Sequence, residues 1–89
     1  MKAIVTVVGK DQVGIIATVC IKLAEYNVNV LDISQTVMQG YFTMMMVVDV
    51  SECTLPLSDF AAVMDGVGKE RALSIRVQRE DIFEAMHRV

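Results

Sequence analysis

The order in which apolar residues change their spacing is the feature that most restricts how this chain can fold. Ala3 to Val8 is a nearly continuous apolar run that stops at Gly9-Lys10-Asp11. From Val13 to Tyr26 the spacing switches, and Ile15, Ile16, Val19, Cys20, Leu23 and Ala24 fall on one side of a 3.6-residue period. Val28 to Met38 returns to alternation, with Leu31, Ile33 and Val37 on one face and Asp32, Ser34 and Thr36 on the other. Gln39-Gly40 stands where a two-residue hairpin turn belongs, and Tyr41 to Val50 reads as the returning antiparallel strand. Pro56 to about Arg71 carries a second helical stripe at Phe60, Val63, Met64 and Val67, behind a proline suited to a first turn. Gly66 and Gly68 each cost about 0.5–1 kcal/mol relative to alanine inside a helix, which leaves the end of this one open. Leu73, Ile75 and Val77 then alternate with Ser74, Arg76 and Gln78, and Ile82, Phe83 and Met86 cluster in a short terminal helix from Asp81 to His87.

A strand, a helix and a strand, repeated about a central hairpin, give the order βαββαβ with a helical tail. The expected class is α+β: a ferredoxin-like split βαβ sheet with both helices on one face and a short C-terminal helix. A chain this short builds one core, so a single domain over 1–89 is expected, with its core at about 1–79 and the tail at about 80–89. In the first strand Ala3, Val5 and Val7 face one way and Ile4, Thr6 and Val8 the other; the third strand sets Phe42, Met44, Met46, Val48 and Val50 against Met45 and Val47. Two helices cover one face only, and a half-exposed sheet normally alternates apolar with polar. The second face must meet the tail helix, another subunit, or both, which predicts a homo-oligomer.

Composition removes several classes. No apolar run approaches the roughly 20 residues that span a bilayer. The run after Lys2 is also shorter than the roughly 7–15 residues of a signal-peptide core, so a cytoplasmic location is expected. Net charge is −3 with the basic residues scattered, against the basic face that nucleic acid requires. Cys20 and Cys53 have neither Cys-x-x-Cys spacing nor a histidine nearby, and Met44-Met45-Met46 cannot converge because neighbouring strand residues point to opposite faces. No metal or cofactor is expected. The one histidine, His87, reads as a solvated tail group, and no nucleophile–base pair can be named.

The stretch "GKDQVGIIA", Gly9 to Ala17, joins the first strand to the first helix. Gly9-x4-Gly14 has the glycine spacing of a P-loop, but Ile15-Ile16 stand where Lys-Ser or Lys-Thr must follow. An acylphosphatase-like cradle needs an arginine near the start of the helix, and Lys10 is the only cation between Gly9 and Thr18. Asp11 is a candidate N-cap, and the amides of the helix's first turn favour an anion such as a carboxylate. Asn29, which offers both a donor and an acceptor, opens the second strand and is expected at the same end of the sheet. Together they read as an amino-acid site; separately, as a cap, a packing glycine and a turn residue.

Val7 to Thr36 resembles the first half of an ACT domain, whose pattern is Asp-x-x-Gly-hydrophobic-hydrophobic-Ala, a helix, and a strand opening Val-Asn-Ile or similar. The matching residues are Asp11, Gly14, Ile15, Ile16, Ala17, Leu23, Val28, Asn29 and Val30. "DISQTVMQGYFTMMMVVDV" and "DIFEAMHRV" are similar to small stand-alone prokaryotic ACT proteins and to the ACT modules of a glycine-cleavage regulator. The resemblance implies a non-catalytic regulatory module that pairs edge to edge and binds an amino acid or related metabolite across the dimer. The ligand-contacting positions it implies are Asp11, Gly14, Ile15 and Asn29. Serine-binding members carry a histidine where this chain has Gly9 and an asparagine where it has Asp11, and the common proline before the glycine is Val13 here. The chain as given carries no effector domain, so a separate effector protein is expected to read its state. The alternatives are a ligand-free protein–protein interaction module and, more remotely, an acyl-phosphate hydrolase.

Overall fold

The computed structural model describes residues 1–86. The elements are β1 (Lys2–Lys10), α1 (Ile15–Glu25), β2 (Asn29–Met38), β3 (Tyr41–Asp49), α2 (Leu57–Glu70), β4 (Ser74–Arg79) and α3 (Glu80–Met86). The expected βαββαβ order with a terminal helix is therefore present, and His87 lies outside the described residues. The strands form one antiparallel sheet in the order β2-β3-β1-β4.

The hairpin turns at Gln39-Gly40, where φ is 51° and 82°. Positive φ at both central residues is the type I′ geometry whose twist matches that of the flanking strands. One side of the sheet is the core. Ala3, Val5 and Val7 from β1 and Phe42, Met44, Met46 and Val48 from β3 pack against Ile15, Val19 and Leu23 of α1 and Phe60, Met64 and Val67 of α2. The buried helical positions recur every three or four residues, as the stripes predict. Tyr26 and Phe60 close the layer edge to face, with ring centroids 5.9 Å apart.

Both helices end in the same device. After α1, the Asn27 N–H donates to Ala24 O (3.1 Å) and the Val28 N–H to Leu23 O (2.9 Å); after α2, the Ala72 N–H donates to Lys69 O (3.4 Å) and the Leu73 N–H to Gly68 O (2.7 Å). This is the Schellman pattern, with Asn27 (φ 62°) and Ala72 (φ 57°) in the left-handed position. It settles the open end of α2, which runs through both glycines because Gly68 lies tight against the returning chain. A Cβ there would sit 2.6 Å from Leu73 O.

On the other face α3 packs against β1 and β4, Ile4 is buried, and Gln78 Nε2 donates to Met86 Sδ at 3.3 Å. The tail helix thus covers part of the second face, while Val8 and Met45 stay exposed. Strand β2 departs from simple alternation. The register passes from Val30↔Val48 to Asp32↔Val47, so Leu31 is a bulge. Val30 shares the helix side with Ile33 and Val37, because their partners Val48, Met46 and Phe42 all face the core.

Candidate functional site

The loop between β1 and α1 is held from three sides. The Asp11 N–H donates to Gly40 O at 2.8 Å, tying the loop to the hairpin turn. Gly9 leans on Leu73 so closely that a Cβ would lie 2.5 Å from its Cδ2. Gln12 Nε2 donates to Arg71 O (3.0 Å), and Arg71 Nη2 donates to Val13 O (2.9 Å).

Asp11 is not the N-cap. Gly14, at φ 86°, occupies that position, and no side chain caps the helix. Thr18 is the first residue whose N–H bonds back, to Gly14 O at 2.9 Å. The N–H groups of Ile15, Ile16 and Ala17 are thus left without an intrahelical acceptor, the arrangement that receives an anion at a helix start. Asp11, Gln12, Gly14, Ile15, Ile16, Ala17 and Phe42 line a recess of about 160 Å³ beside them. At about 30 Å³ per water that is room for several waters or a small amino acid. Ile15 turns its side chain into the core at 2% exposure, so it offers the recess mainly backbone.

The cation at this helix start is Arg71, which sequence reasoning missed. A Cβ on Gly14 would lie 3.4 Å from Arg71 Nη2, so the guanidinium sits directly behind the loop. It sets a positive charge against the Val13-Gly14 end of the loop. Nothing local in the sequence marks it, because the contact spans 58 residues and depends on the corner after α2.

Asn29 does not join the loop within one chain. Asn29 pairs with Asp49, which pairs with Lys2, whereas the loop follows Lys10, which pairs with Tyr41 and so lies beside Met38. At about 3.3 Å per residue, Asn29 stands some 30 Å from the loop's end of the sheet. The expectation that both share one end is corrected for a physical reason. A strand–helix–strand crossover makes β1 and β2 run the same way, so β2 begins where β1 begins.

The profile of the ACT domain matches residues 2–78. The chain belongs to the ACT domain family. It is 51% identical over 89 residues, covering 100% of both chains, to a UPF0237 protein of Listeria monocytogenes. An ACT domain protein from Streptococcus pneumoniae superposes with a TM-score of 0.82 at 46% identity, covering 98% of both chains. A candidate glycine cleavage system transcriptional repressor shares the fold at a TM-score of 0.74 and 20% identity, over 88% of this chain and 44% of that one. ACT domains are regulatory ligand-binding modules rather than catalytic ones.

In this ACT domain two further surfaces bear on the site. Every residue of β2 is exposed, including Val30, Leu31, Ile33, Val37 and Met38, and Ile21 of α1 is exposed at 59%. A larger groove of about 350 Å³ runs between Leu57 and Ala61 of α2, Val77 of β4 and Ile82 of α3. Its charged group, Arg79, is held by Asp81 through bonds of 3.1 and 2.6 Å. The groove therefore offers little to orient a polar metabolite, and the smaller recess beside the amides of Ile15 to Ala17 is the better candidate. Among the described residues no cluster of three or more His, Cys, Asp or Glu side chains could hold a metal ion, and no helix is long and apolar enough to cross a membrane.

Proposed function

We propose that this ACT domain senses an amino acid or related small metabolite bound between two copies of the chain. The loop Asp11–Ile15 of one copy meets Asn29 of the other. The observation that carries the reading is the pairing register: Asn29 lies at the far end of an edge strand that is exposed along its whole length. A long apolar edge with Asp32 as its only charge is a surface that natural sheets cover or guard. A two-fold axis near Ile33-Ser34 pairs β2 with itself antiparallel and makes an isologous contact. That pairing sets the partner subunit's Asn29 beside Met38 and Val37. Val37 is opposite Phe42, which lines the recess.

In such a site the ligand carboxylate faces the amides of Ile15 to Ala17 with Arg71 behind them, and the asparagine amide meets its polar end. Ligand bridging two copies stabilises one dimer arrangement by its differential affinity, and a separate effector protein reads that arrangement.

The test is a panel of free amino acids and purines screened by thermal shift and calorimetry against the wild type, Asn29→Ala and Ala17→Trp, the last filling the recess. Saturable binding weakened by both substitutions supports sensing. An intact dimer with no hit across the panel favours an interaction module instead.

A further inference from the structure

We propose that Arg71 is the positioning residue of the β1–α1 loop, clasping it in the shape that presents its amides; this rests on the reading that the loop receives the ligand. The clasp is reciprocal: Gln12 reaches across to the backbone of Arg71, and Arg71 reaches back to the backbone of Val13, at 3.0 and 2.9 Å. A peptide unit is planar, so fixing Val13 O fixes the direction of the Gly14 N–H and the entry angle of the first turn.

Nothing within the loop does this. Gly14 takes a left-handed φ that brings no stiffness of its own, and α1 lacks a side-chain cap. The support comes from the α2–β4 corner, which has two independent reasons to be rigid. Gly68 O accepts both the Arg71 and the Leu73 N–H, at 3.1 and 2.7 Å. Gly68 also packs against the returning backbone too closely for a Cβ, 2.6 Å from Leu73 O, while Gly9 rests on the Leu73 side chain.

Arg71 is also a poor choice for stability alone. Its Nε is buried and has no hydrogen-bond partner among the described residues, a cost that an apolar side chain of similar reach avoids. The guanidinium is retained where its planar fork can hold one carbonyl in place and leave positive charge behind the helix start.

The experiment is backbone ¹⁵N relaxation of Arg71→Ala, Arg71→Lys and Gln12→Ala in the full chain, with calorimetry of each against the panel amino acid that binds the wild type. In Arg71→Ala the order parameters of Val13 to Ala17 are expected to fall from about 0.85 towards 0.6 or below, while those at Val5 and Met46 hold. Gln12→Ala, which leaves the corner intact, gives a smaller fall. Millimolar methylguanidinium restores order in Arg71→Ala, and the amino acid binds that variant at least about tenfold more weakly with the dimer intact. Loop order parameters unchanged from wild type, or a fall spread evenly over the sheet, overturns the assignment, as does unchanged affinity in Arg71→Ala. If no panel member binds the wild type, the sensing reading fails, and the relaxation data alone decide for or against the clasp.

Discussion

Gly66 and Gly68 stand two residues apart in α2, and alanine at each should move stability in opposite directions. An added Cβ at Gly66 meets nothing within 4 Å. The substitution therefore returns the helix-propensity deficit of glycine, about 0.5–1 kcal/mol. At Gly68 the same Cβ lies 2.6 Å from Leu73 O and 3.1 Å from Ile75 Cγ1. The nearer neighbour is backbone, whose N–H also bonds Gly68 O, so relief means opening the Schellman corner. Overpacking costs about 1–3 kcal/mol, and a clash with backbone belongs in the upper part of that range, about 2–3 kcal/mol; less a propensity gain of about 1 kcal/mol, a net loss of about 1–2 kcal/mol remains. For a domain of this size each kcal/mol moves Tm by about 4–8 °C. Thermal denaturation by circular dichroism at matched protein concentration should place Gly66→Ala about 2–8 °C above the wild type and Gly68→Ala about 4–16 °C below it. Shifts of the same sign, or Gly68→Ala as stable as the wild type, refute the reasoning.

Ala72 holds a left-handed φ of 57° that glycine adopts without strain. Ala72→Gly should stabilise by about 0.5–1 kcal/mol after the added freedom of the unfolded chain is subtracted, as urea melts would show. Val37, 55% exposed on the uncovered edge, becomes a charge in Val37→Lys. Light scattering should find a folded monomer, and a dimer that survives the change locates the interface elsewhere. The Arg79 guanidinium holds the Asp81 carboxyl below the usual carboxylate range, and bonds from Ser51 do the same for Asp49. Because these folded values are depressed, the stability they contribute is present above the ordinary value of about 3.9 and is lost as pH falls through the lowered ones. Both groups are exposed, so the effect is small. Carboxyl NMR titration should place both midpoints low, and Asp81→Asn should flatten the acid limb of the stability curve.

The elements were legible because each is a run of one period ended by a recognisable stop. Gln39-Gly40 gave the hairpin, and the stripes at Phe60–Val67 and Ile15–Leu23 gave the helix faces. What local pattern could not supply was contact between distant segments. Leu31 alternates correctly with Ile33 by counting, and only pairing with β3 exposes it as a bulge. Arg71 reaches the loop because a left-handed alanine turns the chain there, and no propensity marks a left-handed alanine. Asn29 is a different case. The crossover from β1 to β2 already sets the start of β2 at the start of β1, so its distance from the loop followed from the topology the sequence predicts. In the proposed reading, that distance turns a site within one chain into one that needs two.

Mixing two disabled subunits tests this claim most directly. Ala17→Trp blocks the loop half of the site and Asn29→Ala removes the strand half. In a two-fold dimer that shares each site, the heterodimer of the two variants carries one site with neither change and one with both. Calorimetry with the amino acid found by the panel should show negligible binding to either variant alone. The purified heterodimer should bind one ligand per two chains at wild-type affinity. A heterodimer that binds no better than its parents contradicts a site shared between copies.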